Sequence, residues 1–206
     1  MGTDKGSLIL ESRTLLEHAV GRVAPLFFEV IVAVNEPPTT PIRFARFVKD
    51  AASNVGPLMG LYSALLASSA PRALVIAPDM PFQPTGLLAA LARASRRHDI
   101  VAARCCGRVQ PLCAVYSKSI LPLIEDCLSR GERSLRSLYE QSSLRVFYLG
   151  DSVLRRWGDP RVVFWNINTP DDFEEAKRLS LEARSGTAYG PRCRAEEGFR
   201  DFSMRV

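Results

Sequence analysis

No apolar run in this sequence is long enough to cross a bilayer. The best stretch, Pro25 to Val34, falls short of the ~20 residues needed and carries Glu29. The start, Met1-Gly2-Thr3-Asp4-Lys5-Gly6, has none of the apolar core of a secretory signal, and Gly6 stands where a myristoylation signal wants Ser or Thr. A cytoplasmic protein that works without a membrane is the expectation. Histidine is scarce, with His18 inside a helical pattern and His98 at a helix end, and no Ser or Cys has a G-x-S-x-G-like setting. Both facts argue against hydrolase triad chemistry. The cysteines Cys105, Cys106, Cys113, Cys127 and Cys193 form no C-x-x-C pair, and Cys105 to Cys127 lie in apolar surroundings. Buried free thiols are therefore expected rather than a metal site. An internal repeat and a low-complexity linker are also missing, which favours a single domain.

What is present is the balance of a soluble globular chain: 206 residues, 47% hydrophobic and 24% charged. The formal charge of +5 comes from scattered basic residues, with Arg96-Arg97 and Arg155-Arg156 among the few adjacent pairs. Scattered charge steers anionic small molecules weakly, and it does not make the stripe that nucleic acid requires.

Short β-rich runs alternate with amphipathic ones, the pattern of a largely parallel sheet covered by helices. The spacing of Leu8, Leu15, Leu16, Ala19 and Val23 predicts a helix over Leu8 to Arg22. Strands are predicted over Phe27–Val34, Phe44–Lys49, Leu74–Ala77, Asp99–Arg104, Pro111–Tyr116, Leu144–Leu149 and Val162–Asn166. Between them, helices are predicted from Gly56-Pro57 to about Ser68, over Thr85–Arg97, Ile120–Leu128 and Ser134–Glu140, and over Pro170–Ala183 with Thr169 as N-cap. Residues 184–206, from Arg184 on, lose all periodicity and are expected to form a mobile tail.

In open parallel sheets ligands lie beyond the carboxyl ends of strands. Asn35, Asp50 and Asp79 each follow a predicted strand, and Pro78 and Pro81 stiffen the turn around Asp79 as a hard Mg²⁺ ion requires of its ligand. Gly56 and Pro57 open a helix whose first backbone N–H groups can hold an anion or the edge of a base.

In order, these pieces resemble the molybdenum cofactor guanylyltransferase family, nucleotidyltransferases that join a guanylate to molybdopterin. Asp50 to Gly60 is similar to the family's D-x(5,6)-G-P-L-x-G segment, and Ala77-Pro78-Asp79-Met80-Pro81-Phe82 to its C-D-x-P-F turn. Gly107 to Tyr116 resembles G-R-x-Q-P-L-x-A-x-Y, Gly131 to Leu135 resembles G-x-R-S-L, and Asn166 to Asp172 resembles N-I-N-T-P-E-D. Met1 to Lys5 matches only the last part of the family's opening L-A-G-G-x-S-x-R-M-G-x-D-K.

The resemblance implies a three-layer α/β, Rossmann-like nucleotidyltransferase fold over residues 1–183, with its first strand and Gly-rich loop missing. It implies transfer of GMP from GTP to molybdopterin or its molybdenum-loaded form, releasing pyrophosphate. Lys5 would contact the triphosphate, Asn35 and Asp50 the guanosine side, Gly56 and Pro57 the base-proximal loop, and Asp79 a catalytic Mg²⁺. Gln110, Pro111, Asn166 and Asn168 would face the pterin, with Asn168 a second polar group near the metal. Partners would be the two substrates, with molybdoenzymes or other cofactor-biosynthesis proteins besides. Two alternatives stay open: a CTP-dependent cytidylyltransferase, and a non-catalytic remnant that still binds the cofactor. A misplaced start codon is the leading account of the missing loop, and a true truncated relative the second. The chain beginning at Met1 is accordingly expected to melt lower and transfer guanylate far more slowly than one extended upstream by about 10–20 residues, the length of a strand and its turn. Equal melting and equal transfer rates would overturn that expectation.

Overall fold

The structure is a computed structural model, and it describes residue 6 and residues 8–185 apart from 39, 53, 54, 95 and 96. A two-residue hairpin, β1 (Ile9–Leu10) and β2 (Arg13–Thr14), leads into α1 (Leu15–Val23). The helix predicted to start at Leu8 thus begins seven residues later, at Leu15. Glu11 and Ser12 take positive φ to turn the hairpin, and Thr14 caps α1 in a reciprocal box with Glu17. A capping box fixes a helix start more firmly than apolar spacing upstream of it can.

The strand β3 (Ile31–Val34) is also shorter than predicted, because the N–H groups of Leu26 and Phe27 turn back to Val23 O. It pairs in parallel with β4 (Arg46–Lys49), after which α2 (Pro57–Ala67), β5 (Arg72–Ile76) and α3 (Thr85–Arg93) follow in turn. The next strands, β6 (Ile100–Cys105) and β7 (Arg108–Ser117), are followed by α4 (Leu121–Ser129), α5 (Arg136–Tyr139), β8 (Val146–Leu149) and α6 (Asp151–Leu154). Where Val162–Asn166 is predicted to be a strand, the chain instead forms α7 (Pro160–Val163). Asp159 accepts from Arg161 N and Pro160 occupies the first turn, which are helix-start signals that outweigh the β-branched pair behind them. The last helix, α8 (Pro170–Ser185), runs two residues past its predicted end, and the rest of the predicted tail lies outside the described residues.

The larger sheet has the order β5-β7-β6-β8, with β6/β8 parallel and β7 antiparallel to both β5 and β6. Thus β5, β6 and β8 run one way and β7 is the reversed strand. Alternate residues of β6 point into two cores. Val101, Ala103 and Cys105 face Leu87, Leu88 and Leu91 of α3, whereas Ile100 and Ala102 face Leu58, Leu61 and Leu65 of α2 with Ile124 of α4. This is a helix–sheet–helix sandwich, the three-layer α/β fold.

The β3/β4 pair belongs to a separate sheet. Arg46 bonds both Glu29 and Ala67 O, which ties the start of β4 to the end of α2, while Gly60 near the start of α2 lies beside Asp50 and Ala33. Both strands therefore run opposite to α2, and so does β5, whose following residue Met80 shares a recess with Pro57. The bonds Arg46 N to Val30 O and Asp50 N to Val34 O turn the even residues of β3 toward β4, leaving the N–H and C=O of Ile31 and Ala33 on its other edge. By the same period Leu74 and Ile76 present theirs on the outer edge of β5, since Ala77 N bonds Leu112 O and Lys118 N bonds Pro71 O across to β7. No ladder joins β3 to β5 among the described residues. Every residue of both strands is only half-buried, apolar though most of them are.

At the entrance to α2, Gly56 has φ +104° and an added Cβ would sit 3.0 Å from Arg133 O. That carbonyl accepts from Leu58 N at 3.1 Å, so it cannot retreat without losing its bond. Gly56→Ala is expected to lower stability by about 1–3 kcal/mol, from left-handed backbone strain and the close approach together. A thermal melt within a degree of wild type would show that the turn relaxes freely.

Candidate active site

The carboxyl ends of β3, β4 and β5 carry Asn35, Asp50 and Asp79 on the same edge of the molecule. Asn35 is exposed, and Asp50 and Asp79 are half-buried. Asp50 is anchored through its own N–H to Val34 O at 2.9 Å, and its Oδ1 is buried with no hydrogen-bond partner among the described residues. Burial raises the Asp50 pKa above the usual carboxylate value, and an interaction with the Ser63 hydroxyl opposes the rise.

The turn that carries Asp79 is held from two sides. Ile167 N donates to Asp79 O at 2.9 Å, which brings the Asn166–Asn168 segment against the turn. From below, the Arg22 guanidinium donates to Met80 O at 3.0 Å and also to Pro81 O. The Nε and Nη2 atoms of Arg22 are buried and have no hydrogen-bond partner among the described residues, and burial lowers its pKa to about 10. Sequence reasoning missed Arg22. Its one visible signal is a guanidinium beside Val23, on the flank of the apolar stripe of α1.

Asn166 and Asn168 are positioned by the start of α8. Asp172 accepts from the N–H groups of Asn168 and Thr169, at 3.0 and 2.8 Å, and Thr169 Oγ1 accepts from Asp172 N. Asn168 Nδ2 reaches back toward Asn166 O at 3.5 Å, while Asn166 Oδ1 is buried with no hydrogen-bond partner among the described residues.

Gln110 and Pro111 lie where β7 breaks register. Ala102 pairs with Ala114 but Ala103 pairs with Gln110, so three extra residues, Pro111 to Cys113, bulge away from β6 while Cys113 still pairs with Ile76 of β5. Proline is tolerated in a strand at such a bulge, where no ladder N–H is needed. The fully buried Tyr116 fixes its shape, donating to Pro111 O at 2.8 Å and lying 2.8 Å from the Tyr139 hydroxyl.

These segments converge. One cavity of about 160 Å³ is lined by Pro57, Met80, Pro111, Leu112, Ser134 and Leu135, together with Arg136. It therefore draws on the Gly56-Pro57 helix entrance, the Asp79 turn, the Gln110-Pro111 bulge and the Arg133-Ser134-Leu135 turn. A larger recess of about 390 Å³ lies between Val162, Trp165 and the α8 residues Glu175, Arg178 and Leu179. It touches none of those segments, and convergence rather than size identifies the candidate site. Lys5 lies outside the described residues. Asn35 and Asp50 sit on the same edge but do not line the cavity.

The donors present suit a hard divalent cation: the Asp79 carboxylate in a proline-stiffened turn, with the buried amide oxygen of Asn166 on the segment bonded to it. Asp50 carries the opposite lesson, since a charge held in a desolvated place costs stability. With its pKa raised in the folded state, the protonated form is favoured, so stability is fullest below the unfolded value near pH 4 and is lost as pH rises through the folded value. Asp50→Asn is expected to raise the melting temperature at pH 7, with the gain vanishing below about pH 4. A lower melting temperature at pH 7 would show that the carboxylate is stabilising in place.

The family description MobA-like NTP transferase domain matches residues 1–146. A probable molybdenum cofactor guanylyltransferase of Chloroflexus aggregans is 36% identical over 84% of this chain and 85% of its own. One of Pelotomaculum thermopropionicum, with the same description, is 30% identical over 92% of this chain and 91% of its own. Among solved structures, the molybdopterin-guanine dinucleotide biosynthesis protein A of Archaeoglobus fulgidus superposes with a TM-score of 0.74 at 25% identity, covering 88% of this chain and 92% of that one. The 2-C-methyl-D-erythritol 4-phosphate cytidylyltransferase of Thermus thermophilus, at 20% identity and a TM-score of 0.66 over 86% of this chain and 94% of its own, shares the fold.

Proposed function

The chain belongs to the MobA-like NTP transferase family, and from that premise we propose that it transfers GMP from GTP to molybdopterin or the molybdenum cofactor, forming the guanine dinucleotide and pyrophosphate. The single observation that carries the reading is the convergence of four separate segments on one cavity, whose lining includes Met80, the residue after Asp79.

Asn35 and Asp50 take the guanosine side of the nucleotide, with Gly56 and Pro57 at the helix entrance close to the base. The helix begins without a side-chain cap, but Pro57 has no N–H, Leu58 N donates to Arg133 O and Met59 N to Gly56 O. The expected free first-turn donors are therefore taken, and the entrance meets the base through its glycine–proline backbone. Gln110 and Pro111, where the bulge begins, together with Asn166 and Asn168, face the pterin. Lys5 supplies a cation to the triphosphate. Asp79, with Asn168 or Asn166 as a further oxygen donor, would hold Mg²⁺. When bound, that ion offsets the negative charge that grows on the pyrophosphate leaving group. The protein's own part is positional: a rigid turn fixes the Asp79 carboxylate, and the bulge presents polar groups to the acceptor so that a phosphate oxygen meets the α-phosphorus in line. The reading also includes a further strand between β3 and β5, ending in a glycine-rich loop that cradles the phosphates. The unpaired backbone edges of Ile31, Ala33, Leu74 and Ile76 support it. Among the described residues no helix is long and apolar enough to cross a membrane, and a cytoplasmic site of action suits the small anionic substrates.

The test is nucleotide transfer to molybdopterin with GTP and CTP in parallel, reading the dinucleotide product by mass, for this chain and for one carrying upstream residues. Product with GTP and little with CTP is expected. Preference for CTP, or cofactor binding with no transfer by either form, would replace the reading. In the active form Asp79→Asn is expected to cut kcat by ~10²–10³ with an unchanged melt, because a neutral amide is a poor ligand for a hard cation. Unchanged turnover at saturating Mg²⁺ would place the metal elsewhere.

A further inference from the structure

The β6–β7 turn holds a group of side chains that the transfer reaction does not use. Cys105 ends β6 and is buried; Cys106 and Gly107 form the two-residue turn, both with positive φ, and Cys106 is exposed. The sequence-based expectation of buried thiols thus fails at Cys106, because a tight hairpin of this kind pushes its first corner residue into solvent. Across from the turn, Asp151 opens α6 directly after β8. Its two carboxylate oxygens accept from Cys106 N at 3.0 and 3.2 Å.

One ligand atom each from Cys105, Cys106 and Asp151 can be chosen so that all lie within 4.8 Å of one another. The two sulfurs are 3.7 Å apart. Two thiolates at ~2.3 Å from a tetrahedral zinc ion stand about 3.8 Å apart, so the pair already has the spacing of a bound edge. A disulfide would require ~2.05 Å and a reshaped turn. Binding of a divalent ion there would displace the thiol protons to solvent.

We propose that Cys105, Cys106 and Asp151 form a site for one thiophilic divalent cation, Zn²⁺ by donor set, with its fourth position open. Three protein ligands from the end of β6, the turn and the start of α6 would staple the hairpin to the segment after β8. The hairpin arm that it would fix is β7, which carries Gln110 and Pro111, so the ion would stiffen the acceptor side of the cleft. The site stands apart from the Asp79 turn in its residues and in its chemistry, since sulfur donors select against Mg²⁺.

The experiment uses the full chain, reduced and stripped with chelator, then equilibrated with Zn²⁺ at micromolar concentration and desalted. Bound metal is counted by mass spectrometry, and Co²⁺ substitution is followed through its thiolate charge-transfer absorption. About one ion per chain is expected, with a melting temperature that rises with Zn²⁺. Cys106→Ser should weaken binding at least tenfold and abolish the charge-transfer band, and Asp151→Asn should weaken it several-fold. Both residues are at the surface or half-exposed, so the unliganded melt reports whether either variant folds. Cys127→Ser and Cys193→Ser should bind as wild type does. Failure of the reduced wild-type chain to retain zinc would overturn the proposal. So would equal retention by Cys106→Ser, or loss of zinc on replacing Cys193. None of these outcomes depends on nucleotide transfer.

Discussion

The position of the candidate site depends on how the turn after β5 is held. Its backbone carbonyls are gripped from two remote parts of the chain, by the Arg22 guanidinium through Met80 and Pro81 and by Ile167 N through Asp79. Neither grip consumes the Asp79 carboxylate. The anchors of the turn in these two grips are main-chain oxygens. A guanidinium buried for this purpose is costly, which its lowered pKa registers, and the charge-assisted bonds to two carbonyls offset part of that cost. The buried cation also places positive potential close under the turn.

The second constraint is the reversed strand. Because β7 runs against β5 and β6, it can leave one neighbour while staying paired with the other, and the bulge at Pro111–Cys113 does this. A parallel strand in the same slot would enter and leave at opposite edges of the sheet and could not return its start to the carboxyl end of β5. Tyr116 then fixes the bulge from within the core, with its hydroxyl satisfied by Pro111 O and Tyr139. Loss of that hydroxyl partner network would leave a buried polar group unpaired, so the shape of the acceptor side is coupled to the integrity of the core beneath it.

Much of this was legible in the sequence, and the failures have identifiable causes. Apolar runs such as Leu74–Ala77 and Asp99–Arg104 locate their strands to within two residues, since a strand covered on both faces reads as a continuous apolar run; β6 is largely buried in this way, whereas β5 is half-buried throughout. The polar residues after the strands fall at the carboxyl edge, as chain direction alone requires. Three readings failed where local capping overrode periodicity: Thr14 with Glu17 cut the first helix short, Asp159-Pro160 turned a predicted strand into a helix, and the backbone turn after Val23 delayed β3. Arg22 was invisible because its role is set by carbonyls nearly sixty residues away. Cys106 was misjudged because composition reports an apolar neighbourhood, whereas a type of turn decides which way a side chain points.

The apolar residues of β3 and β5 bring these threads together. Ile31 to Val34 and most of Arg72 to Ile76 have the composition of central strands, yet each residue is only half-buried. Both strands lie under α2, and Val30, Leu74 and Ile76 reach the same core on the opposite face. A helix above and a core below are thus in place for a sheet that is interrupted between them. Among the described residues no ladder uses the N–H and C=O groups on these two facing edges, and edges of this kind are a template for another strand. The fold therefore presents its strongest demand for further hydrogen bonding at the place where the carboxyl ends carrying Asn35, Asp50 and Asp79 flank the break. A strand lying between them in the direction of β3 and β5 would have its carboxyl end beside those three residues.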